Sequence, residues 1–534
     1  MSEVGKKQTF LHGAALLALA TAAVKIIGAF YKIPLKMIVG DQGFGYFSSA
    51  YDIYSLLLII STAGLPVAMS RMISQASTLG NYSQVRRVYR TSRAIFLGLG
   101  LVSTVVMLVF ADQFAAFLQQ ENAAIAIRCL APSAFFMGLI STFRGFFQGQ
   151  GNMRPTSVSQ VLEAFCKLLV GLGLAWLFMS TYKNVPLAAG GAILGVTVSC
   201  VLSAVFLFSK LSPAYRAMPQ TNDTPRSYGS TAKGLLAIAV PITVGSAGLQ
   251  LLTVLETSVY MRQLLTSCGL SQEAADVTKG IYNMTHTIFN MPCAFLIPIT
   301  VSVIPAITSQ LTLGNDRNVR ATEESSARIT GLLSLPCSVG LLLLSRPVMA
   351  LLGGYSGELL DLASRLMAVM AVSIFLYGII QLTNSILQSH GYAHVPVINT
   401  LISGAAKLAV VYFLSGNPNI GILGVPIGFA LCYGAIAVMN ILSIGRLVPQ
   451  KPKLVRNLLR PLLPAVLMGV TVFVCYRGLT LLLGADGSRI LLCGVPIALG
   501  AAVYFVCVVL CKSITREDCL LLPKGEKIAR FLKL

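Results

Sequence analysis

Apolar runs fill this chain, and polar residues fall in short breaks between them. With several residues of latitude at each end, the runs lie at 10–39, 44–72, 92–118, 123–148, 156–180, 186–209, 235–261, 280–311, 329–352, 358–388, 395–415, 420–445, 459–484 and 488–511. A helix needs about 20 predominantly apolar residues to cross a bilayer. The pattern therefore predicts an all-α polytopic membrane protein with about fourteen transmembrane helices. Residues 1–23 imitate a secretory leader, with Lys6, Lys7 and the small residues of ALATAA. The same run continues to Val39, which favours an uncleaved first helix.

Composition agrees: of 534 residues, 55% are hydrophobic and 11% are charged, where a soluble domain has about a quarter charged. The net charge of +21 comes from 40 Lys+Arg against 19 Asp+Glu. The basic residues gather in alternate short loops, including Arg71, Arg86, Arg87, Arg90 and Arg93 in one and Lys451, Lys453, Arg456 and Arg460 in another. Only five, Lys183, Arg262, Lys279, Arg477 and Arg489, are assigned to the opposite loops. The positive-inside rule then expects both termini on the cytoplasmic side of the membrane. It also accounts for the charge without nucleic acid, for which no recognition motif is present. The twelve cysteines are scattered without CxxC and read as reduced thiols.

The chain repeats itself. TLGN at 78–81, with Val85 and Arg86, recurs at 312–315 with Val319 and Arg320, an offset of 234. Gln148, Gly151 and Lys167 recur as Gln388, Gly391 and Lys407, an offset of 240. Two parallel six-helix lobes related by a pseudo-two-fold are expected, at 1–209 and 235–447. A polar linker at 210–234 joins them, and 448–534 adds helices 13 and 14 and a basic tail.

The first run carries Lys25, Lys32 and Lys36, which spacings of seven and eleven bring onto one helical line. A lysine at mid-bilayer costs about 2.5–3.5 kcal/mol on insertion scales and persists where it meets water or a partner. Pro34 offers the helix a place to bend. Glu256, near the repeat counterpart of Lys25, is expected to face it, and Asp52 to pair with Lys32 or Lys36. Arg262 reads as an outer-mouth residue. Arg144, with Glu163 and Lys167 as an i,i+4 pair, reads as helix-tying structure near a gate. His390 and His394 have HxxxH spacing, but their repeat counterparts Gln150 and Arg154 are not ligands, so no metal and no cofactor is expected.

GAFYKIPLKMIVG (28–40), YDIYSLLLIISTAGLPVAMSRMIS (51–74) and FRGFFQGQGNMRPTSVSQVLE (143–163) together resemble the multidrug/oligosaccharidyl-lipid/polysaccharide flippase superfamily. Within it they are most similar to the MurJ and stage V sporulation protein B branch of Gram-positive bacteria. The resemblance implies a flippase for an undecaprenyl-diphosphate-linked cell-wall precursor, lipid II foremost, with roles in peptidoglycan synthesis, cell shape or sporulation. It implies alternating access through a central cationic cavity lined by helices 1, 2, 7 and 8, and a lipid-tail groove at helices 13 and 14. Lys25 in VKIIG matches a basic residue of the family's helix 1, and Gly28 belongs to the same motif. An Arg-Asp pair of Gram-negative members is replaced by Tyr31 and Lys32, the helix 2 arginine has no charged counterpart in Leu57–Ser61, and the helix 8 arginine falls near His286 or Thr287.

The expected substrate-binding residues are thus Lys25, Lys32, Lys36, Asp52, Glu256, Arg262 and His286. Gly28, Pro34, Arg144, Glu163 and Lys167 are expected to serve the gate or the scaffold. Expected partners are the lipid-linked oligosaccharide, membrane lipid and the cell-wall synthesis machinery, with a coupling ion left open. Alternatives are a flippase for a capsule, teichoic or spore-cortex precursor, a drug/cation antiporter, and a membrane-embedded glycan enzyme. Against an enzyme, the outer loops carry no DxD, HExxH or paired carboxylates. No GxxxxGK[ST] points to ATP as the energy source.

Overall fold

The structure is a computed structural model that describes residues 3–62, 64–484 and 487–515; the side chains of residues 3–19, 21, 22, 25, 26, 29, 297–302, 305 and 306 lie outside the described set. Among the described residues there is no strand. In chain order the helices are α1 (Glu3–Thr62), α2 (Leu65–Thr78), α3 (Tyr82–Val109), α4 (Ala111–Phe117), α5 (Ala124–Gly149), α6 (Arg154–Tyr182), α7 (Val185–Arg216) and α8 (Tyr228–Thr266). There follow α9 (Gln272–Thr312), α10 (Asp316–Leu343), α11 (Ser345–Leu352), α12 (Gly357–Ser389), α13 (His394–Ser415), α14 (Gly424–Leu447), α15 (Leu454–Leu458), α16 (Leu462–Leu483) and α17 (Arg489–Leu510).

Twelve helical stretches among the described residues are long and apolar enough to cross a membrane. The first arm of α1 and the whole of α9 are helical besides, at the positions of the expected runs 10–39 and 280–311. The run 44–72 proves divided: α1 ends at Thr62 and α2 starts at Leu65, with Pro66 in its first turn where the missing N–H costs nothing.

By its contacts the chain separates into one compact unit through Asn283 and another from Met284 onward. In the first, α5, α6 and α7 pack as a bundle, α1 lies against α5, α6 and α7, and α8 lies along α1, α2 and α3. In the second, α12 packs on α10 and α14, α13 on α14, and α16 and α17 pair with each other. The stretch 210–234 is less of a linker than its polarity suggests. Helix α7 continues to Arg216 and α8 begins at Tyr228. The segment between is tied to α3: Arg86 Nη2 donates to Met218 O at 2.8 Å, and Ser83 Oγ to Thr221 O at 2.9 Å.

The repeated tetrapeptide makes the same turn twice. Thr78 and Thr312 end their helices, Gly80 and Gly314 have φ of 74° and 65°, and Asn81 and Asn315 precede α3 and α10. Likewise Gly151 (φ 77°) and Gly391 (φ 85°) turn α5 into α6 and α12 into α13.

Candidate functional site

α1 breaks at Gly40, with φ 70° and ψ −179°, and not at Pro34, which sits inside regular helix. Proline lacks one N–H but tolerates helical φ, whereas this conformation is one that a side chain strongly disfavours. The start of α9 wedges against the break. A Cβ on Gly280 would lie 1.9 Å from Asp41 O, so only glycine permits the approach. Lys36 Nζ meets Asp41 Oδ2 across the break at 3.5 Å, with both side chains nearly buried.

That wedge carries charge into the interior of the first unit. Lys279 is 1% exposed and donates from Nζ to Ser49 Oγ, which in turn donates to Gln120 Oε1. Asp276 accepts from Gln120 Nε2 at 2.8 Å, Tyr46 OH at 2.9 Å and Gln272 Nε2 at 3.0 Å. Thr257 Oγ1 on α8 donates to Asp52 Oδ2 at 3.3 Å. Asp52 lies in the electrostatic field of Lys279, Glu256 and Lys32. Glu256 and Thr257 are both buried. Buried charges on this scale are tolerated only with hydrogen bonds and counter-charges around them, and here α1, α8 and α9 supply them.

A second group lies between α1, α5 and α6. Arg144 Nη2 bonds Glu163 Oε2 at 2.9 Å, and its Nε bonds Ser159 Oγ at 3.0 Å. The expected Glu163–Lys167 pair is therefore not the ion pair formed: the guanidinium takes the carboxylate. Lys167 Nζ turns to the rings of Tyr31 and Tyr51, at 5.2 and 4.6 Å from their centroids. An ammonium over an aromatic face is stabilised by the ring quadrupole. Arg144, Glu163, Lys167 and Tyr31, with Val24 and Gly28 of α1, line a cavity of about 250 Å³. Lys32 is close enough to Lys167 for the two charges to repel. Among the described residues, Lys32, Lys167 and Lys279 have no carboxylate within salt-bridge distance.

Lys32, Lys36, Asp52 and Glu256 thus come together in one interior, and Gly28, Arg144, Glu163 and Lys167 adjoin it. Lys25 cannot be placed, because its side chain lies outside the described residues. Asp52 shares its field with Lys32, while Lys36 is held by Asp41 instead. Arg262 is exposed on α8. His286 belongs to the second unit, where its ring packs on Phe289 and Phe429 at 5.8 and 5.9 Å and its Nδ1 meets Asn290 Nδ2 at 3.1 Å.

Sequence reasoning missed Lys279, taken for a loop residue, together with Asp276, Ser49 and Gln120. The available signal was QEAAD at 272–276, good helix formers with an acid in the first turn, which starts the helix before the apolar run does. His390 bonds Glu323 Oε1 at 2.8 Å, and no group of three metal-ligating side chains occurs among the described residues. None of the described cysteines is in a disulfide.

Comparison with known proteins agrees with a multi-pass membrane protein. The chain belongs to the polysaccharide biosynthesis protein family, whose model matches residues 10–310, within the flippase superfamily and its branch of MurJ-like and stage V sporulation protein B-like chains. A MatE model also matches residues 280–413. Among curated relatives, the uncharacterized membrane protein YabM of Bacillus subtilis is 27% identical over 99% of this chain and 97% of its own length. The lipid II flippase MurJ of the same organism is 23% identical over 93% and 94%. Among solved structures, a lipid II flippase MurJ in an inward closed conformation superposes with a TM-score of 0.67 at 14% identity, over 92% of this chain and 97% of that one. A multidrug resistance transporter in an inward-facing conformation gives a TM-score of 0.63 at 17% identity, over 80% and 99%.

Proposed function

We propose that this chain is a flippase that moves an undecaprenyl-diphosphate-linked cell-wall precursor, lipid II first among them, from the inner to the outer leaflet by alternating access. On this reading it is a transporter and not an enzyme. The repeats at 1–209 and 235–447 are its two lobes, the helices after 448 receive the lipid tail, and both termini are cytoplasmic. The observation that carries the reading is the set of lysines, Lys32, Lys167 and Lys279, that lie in the interior of the first unit without a carboxylate in contact. Each is a point charge in a low-dielectric wall, where attraction to a diphosphate is screened far less than in water.

The neighbouring carboxylates Asp52, Glu256 and Asp276 keep the interior near neutrality when it is empty. A phosphate group then competes with them for the ammonium groups. This gives capture that can be reversed, as transport requires. Relatives that bear the name of lipid II flippase support the substrate class. Membrane potential can drive any net charge moved, at about 2.3 kcal/mol per charge per 100 mV.

The test is depletion of the protein in its host, followed by assay of lipid-linked precursors in the inner leaflet. Accumulation of lipid II supports the reading. Accumulation of a different lipid-linked glycan moves the substrate to the capsule, teichoic or spore-cortex alternative. Accumulation of none removes the flippase reading.

A further inference from the structure

Helices α3 and α7 contain no acidic residue. Both pack on α5, and the start of α3 approaches the end of α7, where the rings of Tyr89 and Tyr215 lie 5.1 Å apart. There Arg90, Arg93 and Arg216, with Tyr89, Phe208 and Tyr215, line most of a cavity of about 270 Å³. The three arginines are exposed, and no ion pair among the described residues includes any of them. Their neighbours are neutral. Arg90 stands against the hydroxyls of Tyr215 and Tyr228, and Arg93 lies 5.7 Å from the ring centroid of Tyr89. A tyrosine orients a guanidinium without cancelling its charge. The acid that follows α7 in sequence, Asp223, is turned to the N–H groups of Ser83 and Gln84.

Charge asymmetry across the membrane does not by itself account for this cluster, because the second repeat lacks it. At the offset of 234, Arg90 and Arg93 become Glu324 and Ala327. Glu324 Oε1 there accepts from Arg320 Nε at 3.0 Å, so that arginine is ion-paired within its own helix. The first unit keeps its cations and omits the acid. An apolar face begins beside them: Leu202, Val205 and Phe208 recur at threes along α7, all are exposed, and Phe208 also lines the cavity. The cations thus stand at the edge of an exposed apolar stripe, at the helix ends that Lys/Arg asymmetry expects in the cytoplasm.

We infer that this hollow binds an anionic phospholipid, with its phosphodiester among Arg90, Arg93 and Arg216 and an acyl chain along Leu202, Val205 and Phe208. Planar guanidinium groups take phosphate oxygens in pairs through charge-assisted hydrogen bonds. Basic pockets between membrane helices on the cytoplasmic side suit anionic headgroups. A soluble phosphate compound would use the cations and leave the apolar stripe uncovered, so a lipid fits the whole site. Such a lipid would stay bound whichever substrate is transported.

For the test, full-length protein in neutral-detergent micelles is crosslinked to a phosphatidylglycerol that carries a photoreactive acyl chain. Crosslinks in peptides covering 86–101 and 202–216 are measured as unlabelled phosphatidylglycerol is added. Saturable labelling of both segments is expected, displaced by phosphatidylglycerol and not by phosphatidylcholine. In R93Q/R216Q the displacement midpoint should rise about tenfold or more, the loss expected for charge-assisted bonds to phosphate. Arg93 and Arg216 are exposed, so this variant should melt like the parent. R93K/R216K keeps both charges without the planar fork and should recover only part of the affinity. Equal displacement by phosphatidylcholine, or an unmoved midpoint in R93Q/R216Q, overturns the inference. So does a parental midpoint in R93K/R216K, since a diffuse basic surface would then suffice. Displacement by inorganic phosphate as efficient as by the lipid also overturns it, because the occupant would be a soluble anion.

Discussion

In the first unit Arg144 on α5 reaches Ser159 and Glu163 on α6. At the repeat offset of 240, these positions and Cys200 become Asn384, Asn399, Ser403 and Asn440 in the second unit. There Asn440 Nδ2 donates to Asn384 Oδ1 at 2.9 Å and Thr383 Oγ1 at 3.1 Å, and Asn399 Nδ2 donates to Asn440 Oδ1 at 2.8 Å. The same three-helix junction is bonded by ions in one repeat and by neutral amides in the other. Amides between membrane helices act as glue, each interhelical bond worth about 0.6 kcal/mol on average. Ions cost more to bury and leave a field behind, which is useful only where a charged ligand passes. The contrast extends outward: Lys167 over Tyr31 and Tyr51 adjoins Lys32 and the Asp52–Lys279 group, whereas its counterpart Lys407 stands over Phe429.

The contrast can be broken most severely at Lys279. Lys279→Met removes the buried ammonium that bonds Ser49 and whose field reaches Asp52 and Asp276, and leaving such buried polar groups unsatisfied costs about 1–3 kcal/mol, more for charged ones. A large drop in thermal stability in detergent is expected, and an unchanged melting temperature would mean that the ionic interior is not structural. Next is an exchange of chemistry between repeats. The variant R144N/S159N/E163S/C200N gives the first unit the amide set of the second. Because both ions leave together, folding is expected to survive within about 2 kcal/mol while transport is lost. Retained transport would make the ions mere scaffold. A milder comparison pairs the two repeat-related lysines. K167Q should slow precursor export by about tenfold or more, the loss of one charge-assisted contact, while K407Q stays within about twofold. Equal effects would erase the asymmetry.

The smallest effect concerns how each repeat caps the helix after its TLGN turn. α10 is capped by its own Asn315, which accepts from the Asn318 N–H at 3.2 Å. α3 is capped from the inter-helix segment by Asp223, which accepts from the N–H groups of Ser83 and Gln84 at 3.1 and 3.0 Å. Partial burial raises the Asp223 pKa, but the Thr221 hydroxyl and these N–H groups outweigh it and hold the carboxyl at about 2. A lowered pKa stabilises the fold above the ordinary carboxylate value, and the gain is lost as pH falls toward about 2. The cap is therefore intact at neutral pH. Asp223→Ala should cost about 0.5–2 kcal/mol and speed proteolysis between α7 and α8, while Asn315→Ala leaves that segment unaffected.

The membrane helices were legible because hydropathy reports burial in lipid directly. The TLGN and Gly151/Gly391 turns were legible because one residue, in a backbone region that favours glycine, fixes each. The break in α1 was not, since Pro34 is the louder signal and Gly40 is decisive only through its φ and the approach of Gly280. Lys32, Asp52 and Glu256 stood out as charges inside apolar runs. Lys279 did not, because it sits at the edge of its run and only the fold draws it to Ser49. The choice of Glu163 for Arg144 over Lys167 likewise depended on the packing of α5 against α6 and on the two tyrosines that receive the lysine.

The central claim is that unpaired interior lysines of the first unit receive the headgroup phosphates. It is tested most directly by replacing the protein in its host with K32Q/K167Q and measuring the lipid-linked diphosphate precursor in the inner leaflet. The account predicts normal amounts of folded protein with accumulation of the precursor that matches full depletion. Export at the parental rate by a fully expressed K32Q/K167Q would contradict it.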